Sequence, residues 1–274
     1  MKIPNNKTKL SVCIISKNEE KMLTECLESV TRIADEIIVV DTGSTDRTIE
    51  IAEKFGCRIY KEEWNNDFAY ARNSAIAKAR YPFILSIDAD ERLANPEKLK
   101  QILEENNGNI GGWLIKIISD INRANGGTDT HRSFQVRLFR NHLHFRFKGI
   151  IHEQIADSIL KSGFRIEKTN LKIKHIGYSY SQEQMEQKQI RNLELLNLAL
   201  TQKPDDSYVL FQRAKTFLVL NKLDEAEKDI IQALRYSNND FTLKSQILNY
   251  GAMIAFRKRN FTSALQMVNE TLLI

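Results

Sequence analysis

The chain has 274 residues, of which 42% are hydrophobic, 27% are charged and only four are proline. That balance supports one large or two ordinary folded domains and excludes extensive disorder. The net charge of +5 is a modest excess of the kind an ordinary soluble surface carries, and it does not call for a nucleic-acid partner. No apolar run is long enough to span a membrane, and the polar stretch Met1–Lys9 has no signal-peptide core. Three cysteines without metal spacing (Cys13, Cys26, Cys57) read as reduced thiols in a cytoplasmic protein, two of them buried.

In chain order, Leu10–Ser16 is an apolar run of β type, and Met22, Leu23, Cys26, Leu27 and Val30 then repeat at helical spacing. Glu36–Asp41 reads as a second buried strand. Thr42–Asp46 is a turn rich in capping residues, and a helix is expected over Thr48–Phe55. Arg58–Tyr60 is a short third strand, Phe68–Ala79 an alanine-rich helix, and Phe83–Asp88 a fourth strand after Pro82. Strands alternating with helices predict βαβ units and a parallel sheet.

The fourth strand runs into Asp88-Ala89-Asp90-Glu91-Arg92. On an extended backbone residues i and i+2 share a side, so Asp88 and Asp90 are expected to emerge together at the strand end, where open parallel sheets bind ligands. Two hard oxygen donors there suit Mg²⁺ or Mn²⁺ shared with substrate phosphates. Taken alone, such a triplet more often just ends a strand; the rest of the chain argues for the metal.

Beyond it, Gly112–Ser119 and Phe134–Phe139 read as strands flanking Asp120–Arg132, whose Asn and Gly content predicts a mobile loop hinged at Gly126-Gly127. His142–Phe147, Phe164–Lys168 and Leu171–Ile176 alternate weakly and are expected as short antiparallel strands. From Gln182 the pattern is helical and repetitive. Ala199 and Ala233 are one tetratricopeptide period apart. The set Ala214, Phe217, Leu220, Ala226, Ile230 is followed by Ala252, Ala255, Phe261, Ala264, Val268.

Ser11–Glu20 (SVCIISKNEE), IVVDTGSTDRT, WNNDFAYARN and DADER, followed by FKGIIHEQI and IKHIGY, together resemble a family 2 glycosyltransferase of the GT-A fold, in the branch that carries helical repeats and includes peptide S-glycosyltransferases. The resemblance implies an α/β fold, with a Rossmann-like mixed-sheet catalytic domain over 1–180 and an all-α tetratricopeptide-like domain over 181–274. It also implies transfer of a sugar from a nucleotide-sugar donor, expected to be a UDP-sugar, with inversion and with a divalent metal. The acceptor is a peptide or protein side chain, or else a lipopolysaccharide or cell-surface glycan. A dinucleotide-binding domain is the competing fold, but Gly-x-Gly-x-x-Gly is missing after the first strand. A non-catalytic nucleotide-sugar-binding scaffold is the competing function, against which the intact carboxylates stand.

By that resemblance the nucleotide sits on Ser16, Asn18, Glu19 and Asp41, with Asp41 accepting from the uracil N–H. Ser44 either joins them or caps the following helix. Arg72 reaches the base or the diphosphate, and planar bidentate recognition suits it. Asp88 leans towards the donor ribose and Asp90 towards the metal. His175 completes the metal shell, touches a phosphate, or packs in the core. The base is Glu153, with His152 as its rival. Trp64 and Phe68 read as packing residues. The repeats are expected to take the acceptor, or a second copy of the chain as a homodimer covering Leu265, Val268, Leu272 and Leu273.

Overall fold

A computed structural model describes residues 8–105, 108–122, 128–176, 182–237 and 240–274. They fall into two compact units, Met1–Gly149 with Glu153–Ser179, and Ile150–His152 with Tyr180–Ile274.

The first unit is built on a mixed sheet of eight strands in the order β3-β2-β1-β4-β7-β6-β8-β5. Strands β1 (Leu10–Ser16), β2 (Glu36–Asp41), β3 (Arg58–Lys61) and β4 (Phe83–Ser86) are mutually parallel, joined through helices α1 (Leu23–Thr31), α2 (Thr48–Lys54) and α3 (Phe68–Ala77). The apolar runs of β1, β2 and β4 have no polar face because helices cover both sides. Val12, Ile14, Val39 and Leu85 enter one core with α1, whereas Cys13, Ile38, Val40 and Ile84 enter the other with α3. Leu23, Cys26, Leu27 and Val30 form the buried stripe of α1. Asp67 caps α3 by accepting from the Tyr70 N–H at 2.9 Å.

The second half of this sheet departs from the sequence reading in four ways. The fourth strand stops at Ser86, and Asp88–Glu91 closes a turn through Glu91 N–H to the Asp88 carbonyl at 2.9 Å. Asp88 and Asp90 are therefore not extended i, i+2 neighbours. The segment Asp120–Arg132 is not a long loop: β6 (Ile110–Asn122) and β7 (Thr128–Arg140) continue their antiparallel ladder through Asp120↔Thr130, and Thr130 Oγ1 donates to Asp120 Oδ1 at 2.9 Å. Cross-strand pairing overrides the Asn and Gly composition; the expected Gly126-Gly127 hinge lies outside the described residues. His142–Phe147 is a turn, closed by Phe145 N–H to the His142 carbonyl at 2.9 Å, with the His142 ring packed on Phe145 and Phe164. Phe164–Lys168 and Leu171–Ile176 merge into one strand, β8 (Arg165–His175), which runs parallel to β6 and antiparallel to β5 (Glu91–Leu93).

Helix α4 (Glu97–Glu104) buries Leu99 and Leu103. Helix α5 (Ala156–Lys161) lies on the β6 glycines: a Cβ at Gly111 would stand 2.8 Å from Ile159 Cγ2 and 2.6 Å from Phe164 Cβ, so only glycine permits that approach.

The second unit contains helices α6 (Gln182–Gln202), α7 (Ser207–Val219), α8 (Leu223–Tyr236), α9 (Phe241–Arg257) and α10 (Phe261–Leu272). Asp206, Asp240 and Asn260 cap α7, α9 and α10. Ala214, Ala226, Ala233, Ala252, Ala255 and Ala264 are buried, whereas Ala199 is half-buried and Phe261 and Val268 of the same pattern are exposed. Arg213 pairs bidentately with the buried Asp229, at 2.7 Å for each bond.

Candidate active site

The site forms where β1, β2 and β4 end. Ser16 closes β1 with a buried hydroxyl that has no hydrogen-bond partner among the described residues. Next to it, the buried Asp41 ends β2. Its Oδ1 accepts from Gly43 N–H at 3.1 Å and Ser44 N–H at 2.9 Å, and the Ser44 hydroxyl donates to Oδ2. Gly43 takes φ +101°, which a side chain would resist. Asn18, itself left-handed at φ 56°, is stitched to this turn. Its N–H donates to Ser44 Oγ at 2.9 Å, and its Oδ1 accepts from Thr45 N–H at 2.8 Å. The Glu19 N–H donates to Thr48 Oγ1 at 2.7 Å. Ser44 thus braces Asp41 and Asn18, while Asp46 accepts from the Thr48 N–H at 3.0 Å at the start of α2. Ser16, Asn18, Glu19, Asp41 and Ser44 are brought together at these two strand ends.

Asp88 is gripped from both sides. Arg72 Nη2 donates to Oδ1 at 2.7 Å and Arg137 Nη2 to Oδ2 at 3.0 Å. Burial alone would raise this carboxyl, but the charges of Arg137 and Arg72 outweigh it and hold Asp88 well below the usual carboxylate range. Arg72 also bonds Ser86 Oγ at 3.1 Å and, through Nε, the Glu153 carboxylate. Arg137 reaches Glu91 Oε1 at 2.9 Å, and Glu91 Oε2 accepts from the Asp88 N–H at 2.9 Å. Burial pushes Glu91 up to about 7 despite Arg137.

Arg137 was not among the residues expected in the site. Alternation along Phe134–Phe139 places it with Phe139, on one face of a regular strand. In the structure the ladder steps from Trp113↔Leu138 to Leu114↔Val136, leaving Arg137 as the extra residue of a β-bulge. Bulges re-aim side chains next to active sites, and this one turns a buried arginine onto two carboxylates. The lone basic residue in an apolar strand was the only signal the sequence carried.

Asp90 stands apart from Asp88. Its Oδ2 lies 3.1 Å from His175 Nε2, and Ser119 Oγ lies 3.3 Å from His175 Nδ1. Among the described residues no three His, Cys, Asp or Glu side chains converge into a closed metal cage. An Asp–His pair oriented by a hydroxyl fits an ion that takes its remaining ligands from water and substrate phosphates, as Mg²⁺ and Mn²⁺ do. Asp88, with both oxygens occupied by arginines, does not share that pair. His152 belongs to the second unit; burial and then Lys215 lower its imidazole to about 4, and its backbone is left-handed at φ 55°. Trp64 and Phe68 pack edge to face, with ring centroids 4.8 Å apart.

A parallel half-sheet extended by antiparallel strands, with acidic and basic groups at the strand ends, defines a glycosyltransferase of the GT-A fold, here followed by helical repeats. The model of glycosyl transferase family 2 matches residues 11–166, and the chain belongs to that family. It is 28% identical to a TPR repeat-containing protein of Synechococcus elongatus over 96% of this chain and 66% of the relative. To the prophage-derived glycosyltransferase SunS of Bacillus subtilis it is 32% identical, over 83% of this chain and 53% of SunS. The chain thus spans between half and two thirds of these relatives. S. aureus TarS, solved in complex with UDP-GlcNAc, shares the fold at a TM-score of 0.50 and 16% identity, covering 94% of this chain and 90% of that one. No helix among the described residues is long and apolar enough to cross a membrane.

Proposed function

We propose that the chain transfers a hexose from a UDP-sugar to a peptide or protein side chain, with inversion, through a catalytic region over 1–180 and an acceptor-binding helical region over 181–274. The observation that carries this reading is the division of the strand-end carboxylates: Asp41 in the turn that follows β2, Asp88 clamped by arginines, and Asp90 paired with His175. The unpartnered Ser16 hydroxyl supports a nucleotide beside Asp41. The UDP-GlcNAc complex of a fold neighbour supports UDP as the carrier, and the likeness to SunS supports chemistry of the same class.

In this reading Asp41 accepts from the base, Asp88 faces the ribose, and Asp90 with His175 holds a divalent cation. When bound, that ion supplies positive charge to the leaving diphosphate. Arg72 stands between Asp88 and Glu153, positioned to meet the diphosphate. Glu153 takes the proton of the acceptor nucleophile as that nucleophile bonds to the anomeric carbon of the sugar, the bond from that carbon to the diphosphate breaks, and the diphosphate leaves with the electron pair. His152, held neutral by burial and then Lys215, is the rival base. Three free cysteines support a cytoplasmic setting. Exposed Leu265, Val268 and Leu272 on α10, with Leu273 just after it, support pairing with a second copy.

A donor panel tests the proposal. Calorimetry with UDP-, GDP- and ADP-sugars and NAD, in Mn²⁺ and under chelation, is expected to select a UDP-sugar with Mn²⁺. Preferential binding of NAD, or no nucleotide binding at all, would overturn it.

A further inference from the structure

Strands β7, β6 and β8 carry three cross-strand rows on one face: Val136, Leu114 and Lys168; Phe134, Lys116 and Lys172; Arg132, Ile118 and Lys174. Directly paired residues project to the same side of a sheet. The opposite side carries the buried Ile115, Ile117, Leu171 and Ile173. Five of these nine positions are cationic and none is acidic. Arg132, Lys168, Lys172 and Lys174 are exposed and Lys116 partly so. No carboxylate of the described residues forms an ion pair with any of the five. The ammonium groups of Lys168 and Lys116 lie 3.9 Å and 5.7 Å from the centre of the half-exposed Phe134 ring.

Lys116 stands directly opposite Lys172, a like-charge pair that weakens a sheet. The Phe134 ring offsets part of that repulsion for Lys116, but no carboxylate does, and a local rule broken without a neutralising charge marks a surface kept for something else. The inner row continues into the core shared with α3, since Val136 and Ile166 pack there beside Ala69, Ala75 and Phe147. The basic face is therefore on the same side of the sheet as Phe147 and α3, which carries Arg72, the partner of Glu153.

We propose that this face docks an acidic, extended segment of the acceptor polypeptide; the inference rests on the peptide-acceptor reading above. Rows along a strand are roughly 7 Å apart, the spacing of alternate side chains in an extended peptide. Acidic residues at every second position would meet successive rows. Apart from Phe134 and Ile118 the two outer rows offer no apolar anchor, which suits a charged chain better than the buried centre of a folded partner.

The test is fluorescence anisotropy on the full chain with a labelled peptide alternating Glu and Ser. The same peptide with Lys for Glu, a heparin oligosaccharide and phosphatidylserine vesicles serve as competitors. The acidic peptide is expected to bind, and to bind less as salt rises. Lys116→Glu is expected to weaken it about tenfold, to leave UDP affinity unchanged, and to raise the melting temperature, because the new carboxylate pairs with Lys172. Equal binding of the two peptides, unchanged affinity in Lys116→Glu, or tighter binding of heparin or vesicles would each overturn the proposal. UDP titration is read separately. A chain that binds the acidic peptide but not UDP supports the face and overturns the transferase reading, and the reverse pattern overturns the face alone.

Discussion

Arg137 Nη2 lies 3.0 Å from Asp88 Oδ2, and the arginine reaches the carboxylate from a strand bulge on the far side of β4. The same nitrogen lies 2.9 Å from Glu91 Oε1, so one buried cation serves two acids. Removing it leaves the buried Glu91 without a cation and the part-exposed Asp88 with Arg72 alone, and breaking a buried pair from one side costs about 3–5 kcal/mol. Arg137→Met is expected to lower stability by about that amount and to abolish UDP binding. Arg137→Lys, which keeps the charge but loses the planar fork, should recover most of the stability and little of the binding. Chemical denaturation and UDP calorimetry on the pair decide it; equal UDP affinity in wild type and Arg137→Met would remove Arg137 from the site.

The Asp90–His175 pair predicts a metal-dependent donor site. Asp90→Asn and His175→Ala are each expected to cut Mn²⁺-supported UDP affinity by at least about tenfold, and Ser119→Ala, acting through the His175 ring, by up to about tenfold. Under chelation the variants and the wild type should bind UDP equally. Variants that still differ with the metal removed would place these residues on the nucleotide instead.

Glu153→Gln keeps the shape of the side chain and its contact with Arg72 but removes the proton acceptor. Transfer is expected to fall about 10²- to 10⁴-fold, the range of general-base contributions, with UDP affinity close to wild type. The readout is product formation once the donor panel has named a substrate. Turnover within a few fold of wild type would move the base elsewhere.

His152 predicts a pH effect of definite sign. Its pKa drops from 6.5 in the unfolded chain to about 4 in the fold, through burial first and Lys215 second. A buried neutral imidazole contributes stability that is present above the unfolded value and is lost as pH falls through the folded one. Between pH 6.5 and 4 the loss is on the order of 2–3 kcal/mol. Stability of the wild type measured across that window should fall more steeply than that of His152→Gln, and the imidazole signals in NMR should not titrate until near pH 4. Parallel pH curves for the two proteins would show that His152 is already solvated.

What could be read without the fold was local. The four parallel strands, the αβ alternation, the Asp41 turn and the repeat alanines are recorded in apolar periodicity, capping residues and spacing, and each of those signals acts within a few residues of chain. The roles of the carboxylates were another matter. Asp88 and Asp90 are two apart in sequence, yet the turn at Asp88–Glu91 sends one to two arginines and the other to His175, a residue eighty-five positions away. Arg137 enters through a bulge that strict alternation conceals, and Asp120–Asn122 and Thr128–Arg132 are drawn into strands by partners their composition does not reveal. Charge neutralisation and cross-strand pairing depend on which distant side chains arrive at the same place. Only tertiary packing brings them there, so the amino-acid order determined the class of fold and the list of candidates, and the folded sheet decided which charge each candidate meets.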